Sequence, residues 1–281
     1  MQGSNDRADD DPVQLCEVGP LGVRSTDSWT PLRGERAGAV VALLSIAPDS
    51  GVRTAALLDA AWPEPDRPAN ARQSLANVIA RLRAQFGASF IETTGSGYRL
   101  GPMVDSDRAR ILEVAASDEI DDADVDRGVA ERVDDALGRW RGEPWVDITI
   151  EEVEPDRARL NAARLRLFRA KARSLAQQNR DAEAVETLEQ IVATDAGTED
   201  DWYDLARAIA ALGNRADAIE RIREARRLLA HRGLEIGERL ASLESALLDG
   251  SWNESSSRRR TEPSSPMLGR RAQLDRVSEL I

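Results

Sequence analysis

Asn70, Gln73, Asn77 and Arg81 recur at spacings of three and four, and on a helix turning about 100° per residue such positions share one arc. Their common chemistry is planar, paired hydrogen bonding. A carboxamide can meet the N6 and N7 edge of adenine, and a guanidinium can meet O6 and N7 of guanine. Between them stand Ala80 and Ala84, small enough to let a helix sit close to a groove floor, and no acid falls on the arc. An ordinary solvated helix face is the alternative, but such a face usually mixes in Glu and Asp. The other chemistries have too few residues to work with. His231 is the only histidine and Cys16 the only cysteine, so no zinc quartet of Cys and His can be assembled, and no Cys-His nucleophile pair is expected. Lys171, the only lysine, lies in RAKAR and not in the Gly-Lys-Ser/Thr of a phosphate loop. Acid runs such as DEIDDADVD lack the spaced Asp, Gly and Glu of a calcium loop. No catalytic residue, metal ligand set or cofactor is expected.

The elements around that arc can be read in turn. VQLCEV and GVRS, parted by Gly19-Pro20, predict a small antiparallel sheet. Ala37 to Ala47 predicts an apolar helix closed by Pro48, and Thr54 is placed to cap a short helix that carries Leu57, Leu58 and Trp62 and ends at PEPDRP. The reading helix is expected from about Ala69 to Phe86, with Leu75, Ile79, Leu82 and Phe86 as its buried stripe. After Gly87 come two short runs, Ser89 to Thr94 and Tyr98 to Leu100, joined across GSG. The glycine pair there predicts a tight hairpin whose turn uses positive φ. A helix followed at once by such a hairpin is the outline of a winged helix. Charge agrees: from Arg67 to Arg99 there are five arginines and the single acid Glu92, although the whole chain carries a formal charge of −12.

The run LLDAAWPEPDRPANARQSLANVIARLRAQFGASFIETTGSGYRL resembles the OmpR-type winged helix at the head of the Streptomyces antibiotic regulatory protein family. Trp62, Leu82, Arg83, Gly95, Gly97, Tyr98 and Arg99 stand at the matching places. The resemblance implies a base-reading helix with Asn70, Gln73, Asn77 and Arg81, and phosphate or wing contacts from Arg72, Arg83, Thr94, Ser96 and Arg99. One departure is Thr94, where relatives often carry a basic residue before the first wing glycine. It shifts the expected backbone contact to Arg99.

Beyond Asp105 the chain reads as helical, with an internal repeat. A shift of 34 pairs Phe168 with Trp202, Ala172 with Ala206, Leu175 with Ile209, Ala184 with Ala218 and Leu188 with Ile222. Large and small residues in that order and period form the tetratricopeptide pattern, with Gly213 at a turn between helices; a generic helical bundle is the plainer alternative. Ahead of the repeats, ALGRWRGEPWVDI resembles the bacterial transcriptional activator domain of the same family. The terminal MLGRRAQLDRVSELI resembles the first helix of the ATPase module that larger members carry.

The expected fold is therefore mostly α with a small β component, a winged helix-turn-helix domain followed by a tetratricopeptide-like helical domain. Expected bounds are a disordered acidic tail over 1–12, the winged helix over 13–103, the activator domain over 104–250, a Ser-rich flexible linker over 251–266 and the start of an ATPase module over 267–281. Gly101-Pro102 predicts a short, stiff joint between winged helix and activator domain. No apolar run approaches the roughly 18 residues of a membrane span, the acidic N-terminus is no signal peptide, and a single cysteine suits a reducing cytoplasm. Arginine in place of lysine suggests GC-rich coding. The resemblance implies promoter DNA as a partner, bound as direct repeats with a second protomer alongside, and RNA polymerase through its sigma factor and other subunits. A protein-interaction scaffold whose winged helix reads no sequence is the competing reading.

Overall fold

The computed structural model describes residues 13–25, 28–47, 49–65, 67–122, 125–194 and 197–252. The expected tail, the ATPase start and all of the expected linker except Ser251 and Trp252 lie outside the described residues. The chain forms two compact units. One runs from the first strand to Ile120 and resumes over Arg127–Leu167; the other comprises Asp121–Asp126 and the residues from Phe168 on.

The first unit opens with β1 (Val13–Cys16), β2 (Gly22–Ser25) and β3 (Ser28–Pro31), a meander with Leu15 opposite Val23 and Val23 opposite Thr30. A fourth strand, β7 (Val104–Ser106), adds to β1 in parallel, giving the order β3-β2-β1-β7. Between them come α1 (Glu35–Ile46), β4 (Val52–Arg53), α2 (Thr54–Ala61), α3 (Ala71–Phe86), β5 (Ile91–Thr93) and β6 (Gly97–Leu100). The last two strands and β4 make a second antiparallel sheet in the order β4-β6-β5. Val40, Val41, Leu44, Leu57, Trp62, Leu75, Ile79, Leu82, Phe90 and Ile91 are buried. The stripe expected on α3 thus faces inward, except that Phe86 is half-buried and packs its ring against Phe90 at 5.1 Å.

Two local expectations are corrected. Thr54 does not cap α2. Its hydroxyl and its amide both donate to the carbonyl of Ser96, which ties the helix start to the wing turn. The hairpin glycines do not use positive φ either. Gly97 is required for closeness: a Cβ there would lie 1.9 Å from the Val52 carbonyl oxygen, so only glycine lets β4 pair with β6.

The joint after Leu100 is itself sheet, because β7 lies on β1 and runs directly into α4 (Asp107–Ala116). Ser106 caps α4 by accepting from the Ala109 amide at 3.0 Å. Then follow α5 (Arg127–Gly138) and α6 (Glu154–Gln177), within which the division between the units falls. The loop between α5 and α6 is fastened to the end of β1: Arg141 N–H donates to the Val18 carbonyl and Trp145 N–H to the Glu17 carbonyl, both at 3.1 Å. Trp145 is fully buried at φ 58° and donates its indole N–H to Asp156 at 2.9 Å. Asp156 also receives Arg108 in a two-pronged pair at 2.6 and 2.7 Å. Glu17 is wholly buried and accepts from the hydroxyls of Ser45 and Ser106, while its amide donates to Asp107 at 2.8 Å. Burial and the neighbouring Asp107 carboxylate lift the Glu17 carboxyl to about 7, against the pull of the two hydroxyls. Burial also raises Asp107, opposed by the Glu17 amide and by Arg141 at 2.9 Å.

In the second unit the 34-residue repeat is visible in the backbone. The end of α6 with α7 (Asp181–Val192) is followed by α8 (Glu199–Ala211) with α9 (Arg215–His231), and α10 (Glu238–Asp249) closes the described array. Asn179 and Gly213, 34 positions apart, both take positive φ, 59° and 83°. The bonds around them also match: Arg180 N–H to the Leu175 carbonyl, and Asn214 N–H to the Ile209 carbonyl. Of the ten paired side chains, all but the half-buried Phe168 are buried. Asp201 completes a capping box with Thr198 and takes Arg169 at 2.8 Å through both oxygens, which joins α8 to α6.

Candidate nucleic-acid interface

The winged-helix part of the first unit presents α3 and the hairpin side by side. Asn70, the residue preceding the helix, is exposed, as are Arg72, Gln73, Asn77, Ala80, Arg81 and Ala84. The helix starts at Ala71, not at the expected Ala69, so Gln73, Asn77 and Arg81 lie on its exposed side with Leu75, Ile79 and Leu82 buried behind, while Asn70 stands exposed just ahead of it with non-helical backbone angles. Gln73 donates its side-chain amide to the Asn77 carbonyl oxygen at 3.2 Å. Joined in this way, the two carboxamides set donor and acceptor groups side by side.

The arginines divide by what holds them. Arg67 is drawn back to Asp59 and to the Trp62 carbonyl, which fixes the loop before α3. Arg83, half-buried, donates to the Ile91 carbonyl at 2.7 Å and to the Thr93 hydroxyl at 2.9 Å, with its guanidinium 6.0 Å from the Tyr98 ring centre. It braces the hairpin against the helix. Arg99, on the outer strand face, pairs with Glu92 at 2.6 Å. Arg72 and Arg81 carry no ion pair among the described residues. In the hairpin turn the Thr94 hydroxyl accepts from the Gly97 amide at 3.1 Å, which leaves Ser96 as the exposed hydroxyl at the tip.

Sequence reading missed Arg33 and Arg36. Arg33 lies in the turn from β3 to α1 and Arg36 in the first turn of α1, on either side of Gly34, and with Asn77 and Arg81 they line a cavity of 560 Å³. The signal was present as PLRGER, two arginines astride a glycine at a helix start, but nothing in that string says which neighbouring helix the turn will meet.

Residues 104–248 match the bacterial transcriptional activator domain. The chain belongs to that family. The activator-domain match begins at β7, so its first helices share a compact unit with the winged helix. Mycobacterium tuberculosis EmbR, solved in complex with a low-affinity phosphopeptide, is similar in structure with a TM-score of 0.70 and 23% identity, over 89% of this chain and 68% of that one. At that identity the likeness establishes the fold, a small β part and winged helix followed by a helical domain. No curated protein sequence matches the chain. The family match makes this a transcriptional activator, and family and fold together agree with the Streptomyces antibiotic regulatory protein resemblance. Among the described residues no helix is long and apolar enough to cross a membrane.

Proposed function

We propose that this activator binds promoter DNA in a sequence-dependent way through α3, occupies direct repeats as paired protomers and recruits RNA polymerase, serving a regulatory and not a catalytic role in the cytoplasm. Its targets would be secondary-metabolite or other pathway-specific genes, as the family resemblance implies. The observation that carries the reading is the exposed, acid-free face of Asn70, Gln73, Asn77 and Arg81 beside a hairpin bearing Arg99. A carboxamide pair and an unpaired guanidinium suit base edges in a major groove, whereas the paired Arg99 suits the backbone, where exchanging Glu92 for a phosphate costs little. The helical repeats of the second unit support protein contacts, which a polymerase-recruiting activator requires. Gel-shift titrations of the full chain on its own upstream region test the proposal. Expected is binding that falls steeply with salt and outcompetes scrambled duplex. Binding indifferent to sequence would reject α3 as the reading element.

A further inference from the structure

The sides of α3 are not equivalent. With the buried stripe of Leu75, Ile79 and Leu82 behind and the carboxamides in front, one flank holds Arg83 and leads to the hairpin. The other flank, Ser74, Asn77, Val78, Arg81 and Gln85, borders the 560 Å³ cavity whose far wall is the turn from Leu32 to Ala37, with Trp62 also lining it. Arg33, Arg36 and Arg81 all stand on this cavity, all are exposed, and none has an ion-pair partner among the described residues. Glu35 is the one acid in the lining. The start of α1 adds to the positive side: Gly34 offers no side-chain cap, and the first intrahelical bond is that of Gly38 to the Gly34 carbonyl, so the amides of residues 35 to 37 have no intrahelical acceptor. Trp62 is 2% exposed and its indole N–H has no hydrogen-bond partner. Arg36 holds its guanidinium 5.4 Å from that ring's centre, which orients it without neutralising it.

We infer that this cavity is a phosphate site, and that its occupant is a backbone phosphate of the duplex that α3 reads. Three unneutralised guanidiniums with a bare helix start are a donor set matched to a phosphate oxyanion. The major groove supplies the geometry. A helix lying in a channel roughly 12 Å wide meets a phosphate row on each wall. The hairpin flank offers Arg72 and Arg99 to one wall, and the start of α1 with the turn before it offers Arg36 and Arg33 to the other. Because Asn77 and Arg81 line the cavity and also belong to the reading face, a phosphate held there strengthens the seat of α3 without itself reading a base. The turn thus acts as the second jaw of a grip whose first jaw is the wing.

The inference rests on the DNA-reading proposal, and one set of titrations separates the two. Full-length wild type and Arg33→Gln/Arg36→Gln are titrated with a fluorescent duplex from about 50 to 200 mM salt, with inorganic phosphate titrated separately by calorimetry. Both side chains are exposed and unpaired, so the melting temperature should not move; Arg33→Gln alone serves if loss of the Arg36–Trp62 contact lowers it. Expected is a slope of log affinity against log salt flatter by about 1.8 for two lost contacts, so that affinity lost over that salt range shrinks about tenfold, with sequence preference retained. An unchanged slope overturns the phosphate jaw while leaving the reading helix intact. Arginine-dependent binding of inorganic phosphate with an unchanged duplex slope also overturns it and assigns the cavity to a free anion. A wild type that binds no duplex at all removes the DNA-reading proposal itself.

Discussion

At the scale of single residues, the bond from Gln73 to Asn77 decides what the pair can show to a base. With the Asn77 oxygen already accepting at 3.2 Å, the Asn77 N–H₂ and the Gln73 carbonyl are left to meet a base, the complement of an acceptor beside a donor on adenine. Asn77→Ala should therefore relax preference at one base pair, by about 1 to 3 kcal/mol, and Gln73→Ala should relax the same pair, since the two amides work jointly. Binding-site selection with each variant checks this, and unchanged selection for Asn77→Ala would show that α3 is turned otherwise. The arginines lead to a second contrast. Arg83 spends its donors on Ile91 and Thr93, so Arg83→Ala should lower stability by about 1 to 2 kcal/mol in denaturant titration and loosen the hairpin. Arg99→Gln should leave stability nearly unchanged, because an exposed pair such as Arg99–Glu92 contributes little, and should instead flatten the salt slope on every duplex. From the string alone Arg83 and Arg99 look alike; only the fold reveals that one points under the hairpin and the other out of it.

At the scale of elements, the join between β1, α1, β7 and the loop before α6 concentrates the buried charge of the first unit. Glu17 is faced there by Asp107, Ser45, Ser106 and Arg108, with Arg141 on Asp107. Its carboxyl sits at about 7 in the fold against 4.5 when solvated. The folded state therefore holds the proton more tightly, and this contribution to stability is complete below about pH 4.5 and is lost as pH rises through 7. The difference is worth about 3 kcal/mol. Glu17→Gln, which can still meet both serine hydroxyls, should remove that pH dependence. Chemical denaturation of both proteins between pH 5 and 8 should show the wild type weakening relative to the variant, and parallel curves would refute the assignment. None of this join was readable beforehand. Glu17 lies in a strand pattern that predicts only alternation, and its partners are about 28 to 90 residues away. The elements themselves were legible where periodicity was strong. The α3 stripe and the 34-residue repeat follow from apolar spacing, because helical burial repeats in sequence. The use made of Gly97 and Thr54 was not, because close approach of β4 and acceptance by Ser96 belong to tertiary contacts.

At the scale of the whole molecule, charge is distributed so that the reader and the remainder differ. Residues 13–103 carry nine arginines against eight acids, and residues 104–281 carry 28 basic against 38 acidic side chains. If α3 reads DNA as proposed, the affinity must come from a local concentration of arginine on and beside it, since the net field of the chain opposes approach. An acidic helical region so close in sequence to the reader also disfavours crowding two copies onto one short site unless contacts between protomers offset the repulsion. The proposed direct repeats would supply such contacts in a defined way. Two copies related by translation along the duplex meet head to tail, with different surfaces of each protomer, and do not share a twofold axis. Their cooperation then depends on lying on the same side of the helix, at a centre-to-centre spacing near one turn of about 10 to 10.5 base pairs or a multiple of it. Footprints on the natural upstream region should accordingly show two protected elements of the same orientation. Inserting five base pairs between them should abolish cooperative occupancy by turning the second copy to the opposite face, and ten should restore it in part. Inverting one element should also abolish it while leaving each single site occupied at higher protein concentration. A protected palindrome, or cooperation that survives inversion, would replace the head-to-tail arrangement with a symmetric dimer.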